Sequence, residues 1–101
     1  MFDSLFQRNG VKWKEVIEDD EARVLDVREN YEWDGGHYEG AEHLPLGAIS
    51  NYKDDGRKVY VYCASGGRSE RAVIALKRSG VDAVNVQGGY HAYERLKKRN
   101  R

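Results

Sequence analysis

Four consecutive β-branched and aromatic residues, Val59-Tyr60-Val61-Tyr62, lead directly into Cys63-Ala64-Ser65-Gly66-Gly67-Arg68-Ser69 and then into a stretch with helical spacing. Such a run favours a pleated, buried strand. Residues 69–79 place Ala72, Val73 and Leu76 on one face, with Glu70 in the first turn, Lys77 and Arg78 in the last turn, and Gly80 as the stop. Charges of those signs suit the two ends of a helix dipole, and glycine suits its C-terminal cap. A strand that turns through a short glycine loop into a helix is the first half of a right-handed crossover, which constrains the remainder to supply parallel neighbours.

The remaining segments supply them. Residues 11–20 carry Trp13, Val16 and Ile17 at helical spacing after the Asn9-Gly10 turn signal, and an acidic cluster at 18–21 reads as solvated. Residues 24–27 are short and apolar apart from Asp26, as expected of a strand buried on both faces. Residues 31–35 predict one or two helical turns broken by Gly35-Gly36, and 41–46 a short strand stopped by Pro45 and Gly47. After the Asp54-Asp55-Gly56 turn and the central strand–helix unit, residues 83–86 predict another strand. Gly88-Gly89 then opens a last helix at 90–98 with Ala92, Tyr93 and Leu96 on one face. The expectation is one α/β domain over 1–101, with a mostly parallel central sheet of four to five strands and helices on both faces.

Charge narrows the partners. Lys plus Arg and Asp plus Glu each number 17, so no global field draws the chain to nucleic acid or to a membrane surface. No apolar run approaches the roughly eighteen residues needed to span a bilayer, and residues 1–10 lack a charged region followed by an apolar one, so a cytoplasmic protein is expected. Cys63 is the sole cysteine. It excludes an intramolecular disulfide and a paired-cysteine metal site. His37, His43 and His91 have no metal-ligand spacing, and neither a metal nor a cofactor is expected. His37, between Gly36 and Gly40, reads as a turn residue tying down backbone groups, and Tyr60 and Tyr62 as packing.

The chemistry is expected at the loop, where open α/β sheets place ligands. Gly66 and Gly67 permit backbone angles that turn successive N–H groups inward, and the following helix adds its positive end, which makes an anion cradle. A thiol at its rim, near Arg68, has its pKa lowered and becomes a nucleophile. The plain alternative is Cys63 as a small buried hydrophobe with the glycines making a turn. A phosphate-binding loop is excluded because no Gly-Lys-Ser or Gly-Lys-Thr follows, and a dinucleotide fingerprint because G-x-G-x-x-G is absent. The physics alone leaves phosphate, arsenate and sulfur chemistry open. Asp26 and Arg28, just past a strand, are candidates to border the pocket, although an acid and an arginine so placed more often form a structural ion pair.

The loop C-A-S-G-G-R-S resembles the C-x-x-G-x-R motif of the rhodanese-like sulfurtransferase family, and the upstream Asp26-Val27-Arg28, Glu32, Gly36-His37, Gly40-Ala41 and Pro45 match its D-V-R, acid, G-H-x-x-G-A and proline in order. Val86-Gln87-Gly88-Gly89 resembles its last strand and paired glycines, so the likeness covers roughly residues 24–96. It implies a persulfide at Cys63 within a loop of Ala64, Ser65, Gly66, Gly67, Arg68 and Ser69. The sulfur would come from thiosulfate or a persulfide and pass to cyanide or a thiol, or along a relay with a partner protein. Arg68 would receive an anionic donor or orient the loop, and Ser69 would hold the persulfide or cap the helix. Cysteine phosphatases and arsenate reductases of the same fold carry a loop one residue longer, which favours sulfur here. Two departures stand out. Tyr93 occupies a position usually held by Trp, and Ala64 one where thiosulfate-using members often carry a basic side chain.

Overall fold

Local propensity and burial meet in a four-stranded sheet. The computed structural model describes residues 10–99. In chain order the elements are helix α1 (Trp13–Glu18), strand β1 (Arg23–Asp26), helix α2 (Asn30–Asp34), strand β2 (Glu42–His43), a 3-10 turn (Leu46–Asn51), strand β3 (Val59–Tyr62), helix α3 (Gly67–Arg78), strand β4 (Ala83–Asn85) and helix α4 (Gly89–Arg99). The strand order is β2-β1-β3-β4 and every pairing is parallel. A single parallel bridge, Val11 to Val86, extends the ladder beyond β4. The Asn9 part of the predicted turn lies outside the described residues.

β3 is central because all four of its residues are buried, which suits a strand with neighbours on both edges and helices on both faces. Period two sorts its side chains. Val59 and Val61 join Leu25, Val27, Ala72, Val73 and Leu76 under α3, whereas Tyr60 and Tyr62 join Trp13, Val16, Val86 and Tyr90 under α1 and α4. Cys63 follows the same parity onto the α3 side. Burying each such Val or Leu contributes about 1.5–3 kcal/mol, so the two clusters, and not the uncapped short α1, hold the layers together.

Three expectations are corrected and one element is added. The strand expected at 41–46 narrows to Glu42–His43; Leu44 N–H and Leu46 N–H still donate to Asp26 O and Val27 O at 2.9 and 3.0 Å, but Pro45 between them has no N–H to give. The turn Leu46–Asn51 was not anticipated, because no local signal marks it; Leu46, Ile49 and Tyr52 are held by packing on the α3 cluster. The acidic cluster is not wholly solvated, since Asp19 accepts the Tyr60 hydroxyl at 2.8 Å. α3 begins at Gly67, with Gly66 at φ +122° as its N-cap, so Ser69 sits inside the first turn and is not the cap. Among the described residues no helix is long and apolar enough to cross a membrane.

Candidate active site

β3 delivers Cys63 to the carboxyl end of the sheet, and the backbone must then reverse into α3. The N-terminus of α4 holds that reversal from behind. Tyr90 N–H donates to Cys63 O at 2.7 Å and His91 N–H to Ala64 O at 3.1 Å. This approach requires glycine at position 89, where φ is +56° and a Cβ would stand 2.3 Å from Cys63 O. Gly89 thus lets the start of α4 dock against the Cys63 loop. The sequence signal of the paired glycines was plain, but the partner they serve was not.

Cys63 is buried, with 1% exposure. Gly66 N–H donates to Sγ at 3.1 Å, Ser69 N–H points at it from 3.4 Å, and Ser69 Oγ lies at 3.4 Å. Burial pushes the thiol pKa up, but the Ser69 hydroxyl and the N–H groups of Ser69, Gly66 and Ser65 together hold it below the ordinary 9.0. Those N–H groups converge on the sulfur only because positive φ at Gly66 turns the chain there. Such a site favours a negatively charged sulfur.

Arg68 does not face the sulfur as a free cation. Its guanidinium donates from Nη1 and Nη2 to the two carboxylate oxygens of Glu32 at 2.7 and 2.9 Å. Glu32 also accepts the Glu29 N–H at 2.9 Å in the first turn of α2. The Arg68 bond, then those lesser contacts, pull its carboxyl down to about 2. Glu32 is therefore part of the site, as the clamp that ties the loop to α2. The acid following the D-V-R segment was its only sequence signal.

Ala64 is half-buried, Ser65 and Gly67 are exposed, and Gly66 and Ser69 are buried. An open recess of about 400 Å³ flanks the loop, lined by Ser65, Gly66, Gly67 and Glu70 on one side and Asn85, Gln87 and Gly88 on the other. Asp26 and Arg28 do not line it. Arg28 Nη2 donates to Asp26 Oδ2 at 2.7 Å and to Gly36 O at 2.7 Å, and its guanidinium sits over the Tyr90 ring at 4.4 Å. This buried pair pins the end of β1 to the turn before Tyr38, away from the recess. His37 and His43 both stack on Trp33, with ring centroids 3.5 and 4.7 Å from it, and their ring nitrogens meet the carbonyls of Trp33 and Arg28. Tyr93 packs 4.9 Å from Trp13 and 5.1 Å from Tyr38. Asn85, whose place in a short strand carries no local signal of a site role, reaches Ser69 from β4.

Comparison with known proteins bears on the fold and the family. A structure of a rhodanese-related protein from Thermoplasma volcanium superimposes with a TM-score of 0.79 at 28% identity, covering 86% of this chain and 91% of that one. A rhodanese-like domain protein from Staphylococcus aureus gives 0.71 at 30% identity, over 82% and 88%. In sequence, the chain is 37% identical to a putative sulfur carrier protein, YrkF, of Bacillus subtilis over 76% of its own length and 44% of that protein. It is 37% identical to a probable adenylyltransferase/sulfurtransferase, MoeZ, of Mycobacterium tuberculosis over 69% and 19%. The uncharacterized protein YqhL of Bacillus subtilis is 38% identical over 68% of this chain and 58% of its own. The chain thus spans between about a fifth and three-fifths of these curated relatives. The model of the rhodanese-like domain matches residues 12–96, and the chain belongs to the rhodanese-like domain family.

Proposed function

We propose that this protein is a sulfurtransferase in which Cys63 carries a sulfane sulfur as a persulfide. The observation that carries the reading is the convergence of backbone N–H groups and the Ser69 hydroxyl on a single buried sulfur. Cys63 thiolate attacks the outer sulfur of thiosulfate or of a low-molecular-weight persulfide. The Sγ–S bond forms, the donor's S–S bond breaks, and sulfite or a thiolate leaves with the electron pair. A thiol or cyanide then attacks the outer sulfur of the persulfide, takes it, and returns Cys63 to the thiolate. The loop N–H groups stabilise the anionic sulfur without rearranging, which is how preorganised donors act on developing charge. A cytoplasmic setting, where a lone thiol stays reduced, suits this chemistry. Incubation with thiosulfate or a glutathione persulfide should add the mass of one sulfur at Cys63, removable by cyanide; no adduct from any sulfane donor would overturn the reading.

One observation favours a second reading, persulfide relay from a partner protein. The loop's cation is committed to Glu32, and Ala64 and Ser65 add no charge beside the thiol, which leaves little to draw in a free dianion such as thiosulfate. The likeness to a protein named a putative sulfur carrier points the same way. Rapid loading from a cysteine desulfurase beside slow loading from thiosulfate would select this reading. Turnover of an aryl phosphate, lost in Cys63→Ser, would instead revive the phosphatase alternative.

A further inference from the structure

Three acceptors surround one hydroxyl proton. The Ser69 side chain is fully buried, and its Oγ lies 3.1 Å from Gly66 O, in short contact with Asn85 Oδ1, and 3.4 Å from Cys63 Sγ. A serine hydroxyl donates one hydrogen bond and accepts others. Gly66 O does not depend on it, because Glu70 N–H also donates there at 3.1 Å. The competition that matters lies between Asn85 and the sulfur. Asn85 is 5% exposed, stands at the end of β4 in register with Val61, and forms part of the recess wall. Its side chain and the thiol therefore both meet the same hydroxyl.

We propose that Asn85 is a positioning residue that sets the reactivity of Cys63 through Ser69: the hydroxyl donates to Asn85 Oδ1 while the sulfur is a neutral thiol, and rotates onto Sγ when the sulfur becomes anionic. In the first state the thiol S–H donates to Ser69 Oγ; in the second that proton has left and the Ser69 hydroxyl takes its place in the bond. The serine proton stays on its oxygen throughout. A stronger acceptor at position 85 holds the hydroxyl away from sulfur and disfavours the thiolate, and a side chain with no acceptor releases it. The lowered Cys63 pKa, to which the Ser69 hydroxyl contributes, agrees with the second state. The proposal rests on Cys63 being the reacting sulfur.

The test is the pH midpoint of Cys63 alkylation by iodoacetamide in the wild type, Asn85→Leu and Asn85→Asp, each repeated in a Ser69→Ala background. Position 85 apart, the ionisable groups of the surrounding elements are the same in every variant: Arg68 with Glu32, Glu70 in the recess wall, the Asp26–Arg28 pair at the end of β1, and His91 on α4. With Ser69 present, Leu should lower the midpoint and Asp raise it, and each shift should differ by about half a pH unit or more from its value without Ser69. Changes in solvation or charge at position 85 are common to both backgrounds, so the difference between backgrounds reads the hydroxyl alone. Equal shifts with and without Ser69 would overturn the proposal. If the Leu variant does not fold, the Asp comparison decides by the same criterion. Alkylation needs no sulfur donor, so this result stands apart from the persulfide experiment.

Discussion

Cys63 is pulled in two directions by its surroundings. Burial penalises the thiolate, while the Ser69 hydroxyl and three backbone N–H groups stabilise it, and the second effect prevails. Alkylation of Cys63 should therefore rise with pH to a midpoint below 9.0, the ordinary thiol value; an iodoacetamide rate profile centred at or above that value would contradict the geometry. The sign for stability follows. A thiol whose folded pKa is depressed adds stability above its unfolded value and loses that addition as pH falls through the folded one. Behind the sulfur, Gly89 admits no side chain, since a Cβ would press on Cys63 O and Ala64 O at 2.3 and 2.6 Å. Gly89→Ala should cost about 2 kcal/mol or more in urea unfolding and slow alkylation of Cys63.

At the scale of elements, the loop is held by two helices from different parts of the chain. α4 takes its carbonyls and α2 takes its arginine. Glu32 and Arg68 are mostly buried, with side-chain exposures of 18% and 29%, so their bidentate pair exceeds an open surface bridge in value; Glu32→Gln should cost about 1–2 kcal/mol near neutral pH. The carboxyl's folded pKa lies at about 2, below its ordinary 4.5, so the wild type's advantage is present above 4.5 and vanishes as pH falls through about 2. Thermal unfolding of both proteins across that range checks it. Elements with their own signals were legible in sequence: β3 matches its expected bounds, and α3 differs by two residues at its start. The role of Arg68 was not, because whether a guanidinium meets a substrate or an acid depends on where α2 lies.

Across the whole molecule, the sheet separates the thiol from an aromatic cluster. Trp13 lies against Tyr38, Tyr62 and Tyr93 and donates from Nε1 to Gly89 O at 2.8 Å, which joins α1 to the start of α4. Trp13→Phe should lose about 1–3 kcal/mol in urea unfolding by removing that hydrogen bond and part of the ring packing, while the alkylation midpoint of Cys63, on the other face, stays unchanged. What the amino-acid order determined by itself was everything carried by local pattern: a buried strand ending in a cysteine, a glycine turn into a helix, and thus an anion-favouring thiol in a parallel α/β sheet. Tertiary structure alone decided which distant groups meet that loop. Glu32 takes Arg68, Gly89 admits the α4 N–H groups, Asn85 reaches Ser69, and Asp26 pairs with Arg28 outside the recess lining. Propensity and period act over a few residues, whereas these partners are brought together by burial of the two apolar clusters across the sheet.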